Sequence, residues 1–252
     1  GDEVIAVPFT WISTAEAISL VGATPVFVDI CPETFNIDID QIGQAITPRT
    51  KAIIPVSLFG QMPDLKRIEG FGLPVIEDGA QSFGATRDGE RSCGVTLMGV
   101  TSFFPSKPLG CYGDGGAVFT SDGELAHRLK AMRTHGGIVR DHHPYLGMNS
   151  RFDTLQAAVL LAKWPHFAAE LNRRRALAKA YDQAFGEYFR VPALETGDVT
   201  HVYAQYTLRF PERDEAAGTA ALDELAREGF AVTDRVRTLL GRLDLRIGRA
   251  RA

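Results

Sequence analysis

A lysine and an aspartate 29 residues apart carry the chemistry that can be read from this chain. Lys107 stands in Thr101-Ser102-Phe103-Phe104-Pro105-Ser106-Lys107-Pro108-Leu109-Gly110, followed by the glycine-rich run Gly110-Cys111-Tyr112-Gly113-Asp114-Gly115-Gly116. Asp78 ends the short apolar run Pro74-Val75-Ile76-Glu77, which reads as a buried parallel strand. In an open α/β sheet, the loops beyond the strand C-termini form the ligand crevice. A carboxylate placed there, with a lysine from a neighbouring loop, suits pyridoxal phosphate chemistry. The lysine would form the Schiff base, and the carboxylate would keep the ring nitrogen protonated so that the ring accepts electrons.

Each residue also has a plainer reading. Asp78 alone could cap the turn that follows it. Lys107 alone could be a solvated loop lysine, but its apolar, glycine-flanked segment would desolvate the amine, lower its pKa and free it as nucleophile and proton carrier. Gln81 could reach the phenolic oxygen of a bound pyridoxal or pack beneath its ring. Ser102, at a strand end five residues before Lys107, could bond a phosphate oxygen. Trp11 could stack on a cofactor ring or belong to the core. Arg151, two residues after Asn149, offers a fork for a carboxylate or phosphate, against the bland reading of an exposed arginine.

The elements that must position these residues alternate through the first half. Strands are predicted at Val4–Val7, Pro25–Asp29, Ala52–Val56, Val75–Glu77, Val100–Phe103 and Ala117–Thr120. Helices are predicted at Thr14–Val21, Asp38–Ala45 and Asp64–Glu69, the first capped by Ser13 with Glu16 three residues on and closed by Gly22. The alternation implies an α/β fold with a mostly parallel sheet flanked by helices. The second half reads as a helix Asp122–Met132, a loop over 134–150, a helix Thr154–Lys163 kinked or ended by Pro165, and a long helix Phe167–Phe185 with Arg173, Arg174 and Arg175 on a solvated side. A strand Gln205–Phe210 and a helix Asp214–Glu228 would belong to a smaller domain.

Bulk properties exclude several classes. The 252 residues, 45% hydrophobic and 23% charged, suffice for one large domain and part of a second. A net charge of −4 gives no basic footprint for nucleic acid. Cys31, Cys93 and Cys111 lack CxxC or zinc-like spacing, so a reduced, cytoplasmic setting is expected. No signal peptide is read at the acidic start, and no apolar stretch approaches the roughly 20 residues of a spanning helix.

Together these segments resemble the sugar-aminotransferase family of pyridoxal phosphate enzymes with the aspartate-aminotransferase fold (fold type I). The likeness covers residues 1 to about 232. It rests on Gly1-Asp2-Glu3-Val4-Ile5, Gly22-Ala23-Thr24-Pro25-Val26-Phe27-Val28-Asp29, Ile76-Glu77-Asp78-Gly79-Ala80-Gln81-Ser82-Phe83-Gly84-Ala85, Phe103-Phe104-Pro105-Ser106-Lys107, and Asn149-Ser150-Arg151 with Gln156-Ala157-Ala158. The runs Arg49–Leu58, Thr101–Gly113 and Tyr203–Thr207 narrow it to the branch that aminates UDP-linked 2-acetamido hexuluronates in lipopolysaccharide O-antigen synthesis.

The resemblance implies pyridoxal 5'-phosphate as cofactor, with Lys107 as the lysine that binds it, Asp78 on the pyridine nitrogen, Gln81 near the ring hydroxyl, Ser102 on the phosphate and Trp11 stacked on the ring. It implies that Asn149 reaches the phosphate in the neighbouring subunit of a homodimer with shared sites, and that Arg151 meets the uronate carboxylate. The substrates would be a UDP-linked keto-sugar, UDP-2-acetamido-2-deoxy-3-keto-glucuronate, and glutamate as amino donor. Residues 1–165 would form the large cofactor-binding domain without its N-terminal phosphate loop, and 166–252 a linking helix with an incomplete smaller α+β domain. The arginine-rich tail from Asp234 does not match the family and is expected to be a truncated or frame-shifted end. A 4-keto nucleotide-sugar aminotransferase and an inactive or regulatory fragment on the same fold are the alternative readings.

Overall fold

The computed structural model of this chain describes residues 1–187 and 189–209, together with 220, 223 and 227. The first unit, Gly1–Ala178 with Ala193–Tyr206, holds every candidate residue. Its elements are β1 (Glu3–Ala6), α1 (Ser13–Leu20), β2 (Thr24–Phe27), α2 (Ile39–Ala45), β3 (Thr50–Ile53), α3 (Leu65–Glu69), β4 (Ile76–Asp78), β5 (Thr86–Arg87), β6 (Glu90–Arg91), β7 (Met98–Ser102), β8 (Gly116–Phe119), α4 (Gly123–Met132), the start of α5 (Thr154–Phe185) and β9 (Val199–Thr200).

β1 pairs in parallel with β2 and β3. β4 pairs in parallel with β7, and β8 runs antiparallel along β7. Parallel bridges Ile53↔Val75 and Val56↔Asp78 join the two ladders. The result is the expected mostly parallel sheet, carrying β8 as an antiparallel edge. A small antiparallel sheet, β6-β5-β9, stands apart from it. Ile5, Val7, Ile42, Ile53, Met62, Leu65, Ile68 and Val75 form the buried centre. They sit where apolar runs of two-residue period meet helix faces of 3.6-residue period, as both patterns require.

The helix starts follow their local chemistry. Asp38, Asp64 and Asp122 cap α2, α3 and α4, each carboxylate accepting a backbone N–H of the first turn. The cap expected at Ser13 is not formed. Ile12 is the N-cap residue, already in a right-handed helical conformation, and no side chain caps this end. The loop enters the helix curled, so Trp11 and Ile12 carbonyls take the first N–H groups. Pro165 neither ends α5 nor divides it, because the helix continues through it to Phe185. The apolar contacts of Phe167 and Leu171, both buried in the main core, offset the hydrogen bond that proline removes. Gly84, at φ +95°, makes this packing possible, since a Cβ there would meet both side chains.

Two further expectations change. Arg174 is half-buried and donates to the Tyr203 carbonyl at 3.1 Å, so the arginine triplet is not wholly a solvated face. The strand expected over 205–210 is reduced, among the described residues, to one antiparallel bridge between Arg190 and Arg209. Gln205 gives its N–H to the Phe59 carbonyl instead, at 3.4 Å. Of the helix expected at Asp214–Glu228, the described positions 220, 223 and 227 are helical. The rest of that helix and the tail from Asp234 lie outside the described residues. In the second unit, Tyr181, Phe185 and Phe189 meet ring to ring at 5.4 and 6.4 Å.

His201, buried in the first unit, has its pKa lowered by desolvation to about 4, and its Nδ1 accepts the Tyr203 N–H at 2.8 Å. A histidine depressed in the folded state contributes stability above its unfolded pKa and loses it as pH falls toward the folded one. Between pH 6.5 and 5 this group alone removes about 2 kcal/mol. His201→Asn keeps an acceptor for Tyr203 and does not titrate. Its urea-unfolding free energy should lack that share of the acid loss, and an unchanged pH dependence would refute the assignment.

Candidate active site

The chain places its chemistry-bearing loops along one edge, the C-terminal ends of parallel strands. β1 leads to Trp11 and Thr14, β3 to Ser57 and Phe59, β4 to Asp78 and Gln81, and β7 to Ser102 and Lys107. Parallel strands present these loops together, which is why residues far apart in sequence converge.

Asp78 is the last residue of β4, and its carboxylate is held on both oxygens. Thr14 donates its hydroxyl to Oδ2 at 2.7 Å, and the Ala80 N–H donates to Oδ1 at 3.1 Å. Thr14 lies in the first turn of α1 and is 5% exposed, so it makes a fixed donor. Gln81 is held by its oxygen, Oε1 accepting the Phe59 N–H at 2.6 Å, which leaves its NH2 end as a donor. Phe59 adopts φ 59°, ψ −7°, a left-handed conformation that costs a non-glycine residue about 1–2 kcal/mol. That strain is tolerated because it aims the N–H at Gln81 and sets the Phe59 ring against Phe35 at 5.2 Å.

Lys107 lies in the long connection between β7 and β8. Its N–H bonds the Phe104 carbonyl at 2.9 Å, and the loop is closed beneath by Cys111, whose N–H donates to the Phe103 carbonyl at 2.8 Å. Helix α5 grips the loop from outside. Gln156 accepts the Tyr112 N–H at 2.8 Å, and Lys163 donates to the Gly110 carbonyl at 2.6 Å. Lys107 is half-buried. Burial lowers its pKa, and attraction to the nearby Asp78 carboxylate opposes that more weakly. The amine is therefore easier to deprotonate than a surface lysine, and it feels the aspartate's charge.

Ser102 ends β7, with its hydroxyl accepting the Phe104 N–H at 3.2 Å. Trp11 is 77% exposed, which removes the core reading and leaves an open aromatic face beside Thr14. Asn149 and Arg151 are exposed on the 134–153 connection, where Asn149 bridges Thr134 and Ser150 bonds the Arg133 carbonyl. No hydrogen bond joins these two to Asp78, Gln81, Ser102 or Lys107. The strand ends thus bring Asp78 and Lys107 together, with Gln81 and Ser102 on the same edge, while Asn149 and Arg151 share no hydrogen bond with them.

Sequence reasoning missed Thr14, Gln156 and Lys163. A threonine in a helix's first turn carries no signal of a distant carboxylate. Gln156 stood within the Gln-Ala-Ala run that supported the resemblance, without a role.

A half-buried lysine near an anchored carboxylate is the donor set that pyridoxal phosphate uses. The residues present fit that cofactor. The sequence pattern of the DegT/DnrJ/EryC1/StrS aminotransferase family matches residues 1–236. This chain belongs to that family. It is 52% identical to the UDP-2-acetamido-2-deoxy-3-oxo-D-glucuronate aminotransferase of Pseudomonas aeruginosa over 85% of this chain and 61% of that protein. It is 46% identical to the UDP-N-acetyl-3-dehydro-alpha-D-glucosamine 3-aminotransferase of Acidithiobacillus ferrooxidans, over 92% of this chain and 62% of that one. Its fold matches the crystal structure of S. venezuelae DesV in complex with a ketimine intermediate at a TM-score of 0.81 and 39% identity, over 85% of this chain and 59% of that one. The family chain therefore spans about 60% of the length of the curated relatives it matches. Among the described residues, no helix is long and apolar enough to cross a membrane.

Proposed function

We propose that this chain carries the cofactor-binding part of a pyridoxal phosphate-dependent nucleotide-sugar aminotransferase. The reaction moves the amino group of glutamate to the keto carbon of UDP-2-acetamido-2-deoxy-3-keto-glucuronate, in building a lipopolysaccharide O-antigen sugar. The observation that carries this reading is the Asp78 carboxylate, anchored by Thr14 and Ala80, within electrostatic reach of the half-buried Lys107. The choice of carbon 3 rests on the two relatives' names, both of which place the keto group there.

The cofactor, when bound, supplies an electron sink for the carbanion that transamination passes through. Asp78 would hold a proton on the pyridine nitrogen. Thr14 keeps the carboxylate in place, so no reorganisation is needed as charge develops. Lys107 would hold the cofactor through its Nζ, the aldehyde oxygen leaving as water, and its amine would be the group placed to carry a proton at the site. Gln81 would hold the ring hydroxyl with its NH2, Ser102 the phosphate with its hydroxyl, and Trp11 would cover one ring face.

Asn149 reaches across to the phosphate of a second subunit, and Arg151 pairs with the uronate carboxylate. Their exposure on the 134–153 connection, beside the exposed Ile138, Val139, Leu146 and Met148, suits a homodimer contact. A cytoplasmic location follows from the nucleotide-linked substrate and the three free cysteines.

Borohydride reduction after adding pyridoxal phosphate, followed by peptide mapping, tests the site. Label confined to Lys107 is expected, because its amine deprotonates ahead of the exposed lysines. Label scattered over Lys51, Lys66 and Lys130 would overturn the reading. With a keto-sugar and glutamate, mass spectrometry should find the new amine at carbon 3, and amination of a 4-keto sugar alone would move the chain to the other branch.

A further inference from the structure

β4 carries two adjacent carboxyls on opposite faces, since successive side chains of a strand alternate. Asp78 faces the site. Glu77 faces away, is 0% exposed, and accepts three hydrogen bonds: from the Ser57 and Ser92 hydroxyls, each at 2.7 Å, and from the Cys93 N–H at 2.6 Å. No step proposed above uses this cluster, yet both of its arms lead to Gln81. On one side, Ser57 lies two residues before Phe59, whose N–H holds Gln81 Oε1 at 2.6 Å. The Ser57 N–H also bonds the Asp78 carbonyl at 3.0 Å, locking the exit of β3 to the end of β4. On the other side, Ser92 meets the hydroxyl of Ser82, the residue after Gln81, at 2.6 Å.

We infer that Glu77 is the positioning residue for Gln81, clamping its side chain through Ser57 and Phe59 and its backbone through Ser92 and Ser82. Its link to the cofactor rests on the proposed function, whereas its link to Phe59 does not. Burial raises the pKa of Glu77, the three donated hydrogen bonds opposing this only in part, and the neighbouring Asp78 charge raises it further. Glu77→Gln keeps the side chain's shape: its oxygen can accept the Cys93 N–H, and the Ser57 and Ser92 hydroxyls can rotate to accept from its NH2. Cys93, its pKa pushed up to about 12 chiefly by burial, gives its N–H to Glu77 and meets the Ser92 hydroxyl through Sγ at 3.6 Å.

Two measurements on the full chain test this. By hydrogen exchange, Glu77→Ala should speed exchange of the Phe59 amide about tenfold, Ser57→Ala should do the same to a smaller degree, and Glu77→Gln should restore protection. By titration of pyridoxal phosphate, read from its visible absorbance, Glu77→Ala should weaken binding about tenfold in the parent chain and less than about twofold in a Gln81→Ala background. Equal losses in both backgrounds, or an unchanged Phe59 amide, would overturn the inference. If Glu77→Ala does not fold, Ser57→Ala carries the same directions of change, smaller in size, in both assays. A parent chain that binds no cofactor would defeat the proposed function, while the exchange result would still decide the role of Glu77.

Discussion

Replacing Lys107 with alanine should lower amino transfer on the order of 10⁴-fold and abolish borohydride labelling, while the chain stays folded. In the proposed function the lysine is both nucleophile and proton carrier, so its loss would remove two roles at once. Folding should survive because Lys107 is only half-buried and its loop is held by other groups: its own N–H to Phe104, Cys111 to Phe103, and Gln156 and Lys163 of α5 to the following turn. Stopped-flow measurement of the half-reaction with glutamate, alongside circular dichroism, reads both quantities. A Lys107→Ala chain retaining a tenth or more of the parent rate would remove Lys107 from the chemistry.

Asp78→Asn should cost about 10³-fold in the same half-reaction, with cofactor affinity changed by no more than about tenfold. The amide preserves the shape of the carboxylate and can still accept the Ala80 N–H, while the Thr14 hydroxyl turns to accept rather than donate. What disappears is the negative charge that holds a proton on the ring nitrogen, and each pKa unit lost there is a factor of ten. The absorbance of the bound cofactor should shift with the lost ring proton. Turnover unimpaired at equal occupancy would sink the assignment, and an equal fall in affinity and rate would make Asp78 a binding group rather than an electronic one.

Much of the frame was legible in the residues. The apolar runs named β1, β3 and β4 to within a few positions, although only β1 is buried at every position, β3 carrying Lys51 and β4 Glu77 and Asp78. Asp38, Asp64 and Asp122 marked helix starts because a short acceptor can reach only the N–H groups of its own first turn. The same local reasoning failed at Ser13, where the incoming loop already supplied the carbonyls, and at Pro165, where contacts of Phe167 and Leu171 with distant residues outweighed the local penalty. Local signals decide only where no long-range contact competes.

Sequence alone singled out the pair proposed to react, Asp78 and Lys107, since a strand-end aspartate and a loop lysine are chemical types whose order along the chain already limits what they can do. It also sufficed for the alternating α/β architecture, which follows from hydrophobic period. Tertiary structure decided which groups hold that pair. Thr14 reaches Asp78 across 64 positions, Gln156 and Lys163 fasten the lysine loop from 44 and 53 positions away, and Glu77 gathers Ser57 and Ser92 behind the site. None of these carries a local signature. A hydrogen bond of about 3 Å depends on where parallel strands end in space, and only the packed sheet brings those ends together.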